Sequence, residues 1–252
     1  MGMLPLSVVI IAQDEADRLP DAIRSASFAD EVIVLDSGST DDTVALARSL
    51  GATVIETDWP GHVAQKNRAL QHASHDWVLS LDADERLSPR LAASVQAILS
   101  TTPAHGAYRV ARLNFWEGAP LRHGTWYPDA RVRLFRRGLA RWAGTDPHDR
   151  VETSGTVGRL AGDLHHHPYR SLAEHLQTID RYTARHAEVA LSEGRRAAWW
   201  DVALRPILHL VKALLLKRGL LDGVRGICVA GLGATYVLLK WTRLYLAQRD
   251  AT

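Results

Sequence analysis

Four apolar runs, each released into acids or hydroxyls and each set apart from the next by one helix-patterned segment, constrain this chain more than any other feature. The runs are LSVVIIA at 6–12, EVIVLD at 31–36, ATVIET at 52–57 and DWVLSLDAD at 76–84. They are short and rich in Val, Ile and Leu, the pattern of strands buried on both faces. Between them lie ADRLPDAIRSAS, DTVALARSLG and HVAQKNRALQHA, whose apolar residues recur at helical spacing. Strands separated by single helices pair in parallel through right-handed crossovers. Ligands of such a sheet bind outside the carboxyl ends of its strands. The polar residues gather there: Asp14 and Glu15 after the first run, Asp36, Ser37 and Ser39 after the second, Asp82, Asp84 and Glu85 after the fourth. Acids delivered to the tip of a buried strand are costly to desolvate unless they bind something.

The 252 residues, 46% hydrophobic and 23% charged, suit one large α/β domain with a short appendage. A single cysteine, Cys228, leaves no internal disulfide and no multi-thiolate zinc site, and points to a reducing compartment. The apolar stretch Leu6–Ala12 is too short to cross a bilayer and has neither basic leader nor cleavage site, so it predicts a strand and no signal peptide. A net charge of +2, with no reader motif, argues against nucleic acid as a partner.

LDADE is the sharpest local feature. In an extended segment Asp82 and Asp84 face the same way and can approach one divalent cation, for which oxygen ligands suit Mg²⁺ or Mn²⁺. Capping of the following helix falls to Ser88, with Pro89 behind it, which leaves the acids without a structural task. Asp36 closes the second run, where a carboxylate accepts from a ribose hydroxyl or a base N–H, while Ser39 or Thr40 is the better candidate to cap the next helix. Only Gly38 stands in that loop, so the Gly-x-Gly-x-x-Gly fingerprint of a dinucleotide site is absent.

In order and spacing, SVVIIAQDEADRLPDAI, EVIVLDSGSTDDT, HVAQKNRAL and WVLSLDADER resemble the inverting family 2 glycosyltransferases of the A fold. GTWYPDARVRLFRRG, GDLHHHPYRSL and KRGLLDGVRG resemble, more narrowly, the bacterial subgroup that adds a sugar to the lipopolysaccharide inner core, β-1,4-glucosyltransferases among them. The resemblance implies an α/β fold of nucleotide-diphospho-sugar transferase type: a mostly parallel sheet flanked by helices over residues 1–170, followed by a helical, membrane-associating extension over 171–252. It implies that Ala12, Asp14 and Glu15 line the base and ribose pocket, that Asp36 holds the nucleotide, and that Lys66 and Asn67 sit near it. Asp82, Ala83 and Asp84 would carry Mg²⁺ or Mn²⁺ and the donor diphosphate, with His165 as a third metal ligand. The base of the subgroup is a glutamate in a Val-His-Glu string. Here the string is PHD, so Asp149 stands in that place, with Asp146 and Glu152 as neighbours able to serve and His148 placed to orient the base or donate to the acceptor.

That chemistry is a single displacement. The base takes the acceptor's proton, the freed oxygen attacks the anomeric carbon, and the diphosphate leaves from the opposite face. Arg122, Arg131, Arg133, Arg136 and Arg137 form a basic middle suited to phosphate, with Arg133 and Arg136 expected against the donor. Implied partners are a nucleotide sugar, UDP-linked by default, and a lipid-linked saccharide. A polyprenyl-linked or capsule precursor is the alternative acceptor, and a nucleotide-sugar-binding scaffold without turnover the alternative from another class.

From Trp199 onward the chain mixes long aliphatic runs with Trp, Tyr, Lys and Arg. The near-apolar core Gly226–Leu239, bracketed by Arg225 and Lys240, falls short of the roughly 20 residues a spanning helix needs. The pattern predicts a helix or hairpin lying in the plane of a membrane, with packing on the globular domain or a true span as the other arrangements it permits, and the resemblance implies that this membrane surface is the cytoplasmic face of the inner membrane.

Overall fold

The computed structural model describes residues 2–145 and 148–250, and the chain divides into two compact units, Met1–Arg112 with Asp129–His166, and Leu113–Pro128 with His167–Thr252. In the first, the expected alternation holds: β1 (Leu6–Ala12), α1 (Leu19–Ser25), β2 (Glu31–Asp36), α2 (Thr43–Ser49), β3 (Thr53–Glu56), α3 (His62–His72) and β4 (Trp77–Asp82). β3, β2, β1 and β4 lie side by side and parallel. β1 shows why its run is apolar throughout. Leu6, Val8, Ile10 and Ala12 join one core with Leu19 and Ile23 of α1, whereas Val9 and Ile11 join another with Ala69 and Leu70 of α3. Side chains alternate between faces along a strand, and helices cover both faces here.

The remaining elements of this unit are β5 (Glu85–Leu87), α4 (Pro89–Leu99), β6 (Ala107–Trp116), which continues into the second unit, then β7 (Ala119–Pro120) in that unit, β8 (Asp129–Arg136), β9 (Ala140–Thr145), β10 (His148–Thr153) and β11 (Val157–His166). β8 adds antiparallel to β4 and β6 antiparallel to β8, extending the parallel half of the sheet. β9 and β10 form a separate antiparallel ribbon. Ser88 caps α4 as its position predicts, accepting from Leu91 N at 3.2 Å. α2 departs from expectation: its N-cap is Asp42, without a side-chain cap bond, because Ser39 and Thr40 are taken up by Asp36 and Asp14. Gly162, with φ +92°, passes so close to α4 that a Cβ there would lie 2.5 Å from Leu91 N.

The second unit is built on α5 (Leu172–Ser192), α6 (Trp199–Val211) and α7 (Gly223–Asp250), with a π-helical turn at Lys212–Leu216 and a 3₁₀ turn at Gly219–Asp222. α7 packs against α5 and α6. Tyr169 stacks on His175 at 3.9 Å, and Trp116 Nε1 donates to His175 Nδ1 at 3.3 Å. Burial pushes the His175 pKa down to about 4.

Candidate active site

The loops leaving β1 and β2 are laced together. Asp14 N donates to Ser39 Oγ at 2.9 Å, Thr40 N to Asp14 Oδ1 at 2.7 Å, and Glu15 N to Thr43 Oγ1 at 2.7 Å. Asp14 holds this geometry with φ 53°, the left-handed region that a short polar side chain tolerates. Glu15 is paired with Arg18 at 2.5 Å. Buried Asp36 folds back on its own loop, accepting from Gly38 N at 3.0 Å, Ser39 N at 2.8 Å and the Ser39 hydroxyl. Ala12 lies in the core at the end of β1. These residues therefore stand at the carboxyl end of the sheet, in a loop pair rigidified by its own hydrogen bonds.

Asp82 and Asp84 do not share an extended segment. β4 ends at Asp82, the chain turns through Ala83 and Asp84, and β5 begins at Glu85, so the two carboxylates take different partners. Asp82 Oδ1 accepts from Lys66 Nζ at 2.7 Å and Oδ2 from Arg133 Nη2 at 2.8 Å. Burial pushes its carboxyl up, but Lys66 and then Arg133 outweigh that and hold it well below the usual range. Asp84 Oδ2 lies 3.3 Å from His166 Nε2. Burial raises this carboxyl too, and the His166 ring brings it below the ordinary value. His166 stands beside Asp84; β11 runs antiparallel to β5, with His166 opposite Glu85 and His165 opposite Arg86. Among the described residues no group of three or more His, Cys, Asp or Glu side chains forms a metal cluster.

Glu85, fully enclosed, organises the turn. It accepts from Arg133 at 2.5 Å and from Asp82 N at 3.1 Å, and stands 3.5 Å from Arg112. Arg133, itself 3% exposed, has its pKa raised: burial lowers it, and the Glu85 and Asp82 charges more than compensate.

Lys66 joins the two halves of the site. Its ammonium donates to Asp82 and, at 2.7 Å, to Asp149 Oδ2 on β10, and it lies 4.3 Å above the ring centroid of Trp142. Asn67 has a different task, clasping the Trp142 backbone with reciprocal bonds of 2.9 and 3.0 Å that dock β9 on α3. Around this junction opens a cleft of about 240 Å³ lined by Lys66, Asp82, Arg112, Arg131, Arg133, Trp142, Asp149 and Arg150. Two buried donors in its wall, Arg133 Nε and Trp142 Nε1, have no hydrogen-bond partner among the described residues.

Arg136 requires correction. Antiparallel register sets it opposite Trp77, at the far end of β4 from Asp82, and it pairs with Asp76 on the surface. Five residues of strand, about 16 Å, separate it from the site. Arg137 donates to the Ala73 carbonyl, and Arg122 belongs to the second unit. Glu152 is held on the surface by Arg150 at 2.7 Å and Arg141 at 3.2 Å. Asp146 and the side chain of His148 lie outside the described residues. Arg112, Trp142 and His166 are the members of the site that the sequence reading did not single out, and Glu85, placed among the strand-tip acids, had no role assigned to it. Register gives His166 the face of Glu85; its approach to Asp84 depends on the turn through Ala83 and Asp84, which no local pattern announces.

A family model for glycosyl transferase family 2 matches residues 7–159. The lipopolysaccharide core biosynthesis glycosyltransferase LpsC of Rhizobium meliloti is 30% identical over 260 residues, covering 98% of this chain and 94% of LpsC. An uncharacterized glycosyltransferase of Rickettsia prowazekii is 31% identical, covering 89% of this chain and 81% of its own. Among solved structures, glucosyl-3-phosphoglycerate synthase of Mycobacterium tuberculosis, in complex with Mn²⁺, UDP and glucosyl-3-phosphoglycerate, aligns at 31% identity and a TM-score of 0.38, over 44% of each chain.

Proposed function

The chain belongs to glycosyl transferase family 2, and on that footing we propose that it transfers a hexose, with glucose favoured, from a UDP-sugar to a heptose of a lipopolysaccharide inner core, inverting the anomeric configuration. The observation that carries this reading is the bridge Asp82–Lys66–Asp149, which brings a strand-tip acid and the carboxylate proposed as base into one cleft. The near full-length similarity to a lipopolysaccharide core glycosyltransferase supports the acceptor class, and with it a place at the cytoplasmic face of the inner membrane.

In this reading the Asp14–Ser39–Thr40 lacework and Asp36 shape the nucleoside pocket at the ends of β1 and β2. Asp149 accepts the proton of the acceptor hydroxyl as that oxygen attacks the anomeric carbon, while Lys66 fixes the carboxylate's position. Lys66 and Arg133, desolvated and preorganised, offset charge growing on the departing diphosphate. The residues present fit a divalent cation: Asp84 and His166 offer a carboxylate and an imidazole nitrogen, a set that suits Mn²⁺ or Mg²⁺ when phosphate oxygens complete the shell. Such an ion would supply charge neutralisation for the leaving group.

The test is an assay of UDP-, GDP- and ADP-sugars with Mn²⁺, Mg²⁺ or EDTA, with and without a truncated lipopolysaccharide core. Metal-dependent use of one UDP-hexose, stimulated by the core, is expected. Turnover indifferent to the core would move the acceptor to a polyprenyl-linked or capsule precursor. Absence of both turnover and nucleotide binding would overturn the enzyme assignment.

A further inference from the structure

Within the second unit, α6 and the turn leading into α7 present an apolar, cationic face that no described part of the chain covers. α6 is largely apolar, yet none of its residues is buried. A helix of that composition ordinarily belongs in a core or a membrane. Trp200, Leu204, Leu208, Val211 and Leu215 recur at steps of three or four residues, which sets them on one helical face, and all are exposed. The turn continues the surface with Leu216 and Val224, each 75% exposed, and Leu221 at 67%. Set among them are Lys212, Lys217, Arg218 and Arg225, all exposed, for which no acid lies within ion-pair distance among the described residues. The two acids of this stretch are engaged elsewhere: Asp201 with Arg205 at 2.5 Å and Asp222 with His123 at 2.8 Å. An apolar face that carries Trp200 and is edged by unneutralised cations fits a lipid surface of negative charge better than it fits water or a neutral protein.

Gly219–Arg249 is long and apolar enough to cross a membrane, but its packing opposes a span. α7 lies along α5, and Arg243 donates to the Asp180 carbonyl at 2.7 Å. α5 carries Glu174, Asp180, Arg181, Arg185 and Glu188 along its length, and immersing α7 would drag these charges into hydrocarbon.

We propose that this face lies in the plane of an anionic phospholipid bilayer, with its leucines and Trp200 at the acyl boundary and its four cations against headgroup phosphates. The proposal deepens the reading of a membrane-linked acceptor by naming the surface and the lipid class, and it is tested without reference to turnover. The full chain would be sedimented with vesicles of phosphatidylethanolamine and phosphatidylglycerol, and with phosphatidylcholine alone. The anionic vesicles should bind at least about tenfold more tightly, salt should weaken binding, and tryptophan emission should shift to the blue. The combined variant Leu208→Glu, Leu216→Glu and Val224→Glu should lose at least about tenfold in partition with an unchanged melting temperature. Should that variant unfold, Lys217→Glu with Arg218→Glu serves, with loss confined to anionic vesicles. Wild type that ignores both vesicle types, variants that bind as wild type does, or a dimer in light scattering that the variants dissociate without any vesicle binding would each overturn the proposal. Donor hydrolysis measured in vesicle-free solution reads the enzyme assignment separately, so either can fail alone.

Discussion

Lys66 Nζ holds Asp149 Oδ2 at 2.7 Å while keeping the same distance to Asp82, and it does so from a position only 4% exposed. One buried ammonium thus compensates two carboxylates from strands far apart in sequence. Removing it leaves both acids facing each other in a partly desolvated cleft. Lys66→Met should cost about 2–4 kcal/mol, less than a fully buried network would lose because both carboxylates keep some contact with water. Lys66→Arg should fall between the two. Urea unfolding of the three proteins at neutral pH measures this, and a loss below about 1 kcal/mol for Lys66→Met would show that the bridge contributes little.

Asp149, the base proposed here, lines the cleft, whereas Glu152 is tied to Arg141 and Arg150 on the surface. Asp149→Asn should lower sugar transfer by about 10²–10⁴-fold, the usual contribution of a positioned base, while donor binding stays nearly unchanged. Glu152→Gln should retain transfer. Initial rates together with calorimetric titration of UDP separate the two effects. Equal losses in both variants would move the base elsewhere.

The parallel half of the sheet and the gathering of Asp36, Asp82 and Asp84 near its carboxyl end were legible because strand period and tip chemistry are local properties of the sequence. What was not legible depends on register. Arg136 looked as well placed as Arg133 until β8 proved to run antiparallel to β4, which carries Arg133 toward Asp82 and Arg136 away from it. Asp84 looked coplanar with Asp82 because the turn at Ala83 has no glycine or proline to announce it. Asn67 looked like a substrate contact, yet its amide holds Trp142, a partner 75 residues away that no local pattern reveals.

The choice between adjacent histidines is open to experiment. His166 lies 3.3 Å from Asp84, and strand alternation turns His165 the other way. His166→Ala should weaken Mn²⁺ binding in the presence of UDP by at least about tenfold, a scale on which even outer-shell partners of metal ligands act. His165→Ala should change it by no more than about threefold, as expected of a residue outside the shell. Mn²⁺ titration followed by electron paramagnetic resonance gives both constants, and the reverse order would restore His165 as the ligand.

His175 supplies a pH dependence that belongs to the helical unit and not to the cleft. Burial among Trp116, Trp126 and Tyr169 pushes its pKa down to about 4, against about 6.5 for an unfolded histidine. Between those values the unfolded chain binds the proton and the folded chain does not, so the folded state loses stability as pH falls through this window. The contribution is complete above about 6.5 and is exhausted by about 4. His175→Gln keeps an acceptor for Trp116 Nε1 but cannot titrate. Unfolding free energies of the two proteins, measured by urea at intervals from pH 7 to pH 4.5, should therefore diverge less in acid, because the wild type falls and the variant does not share that loss. Parallel curves would mean that His175 takes up its proton without disturbing the packing around it.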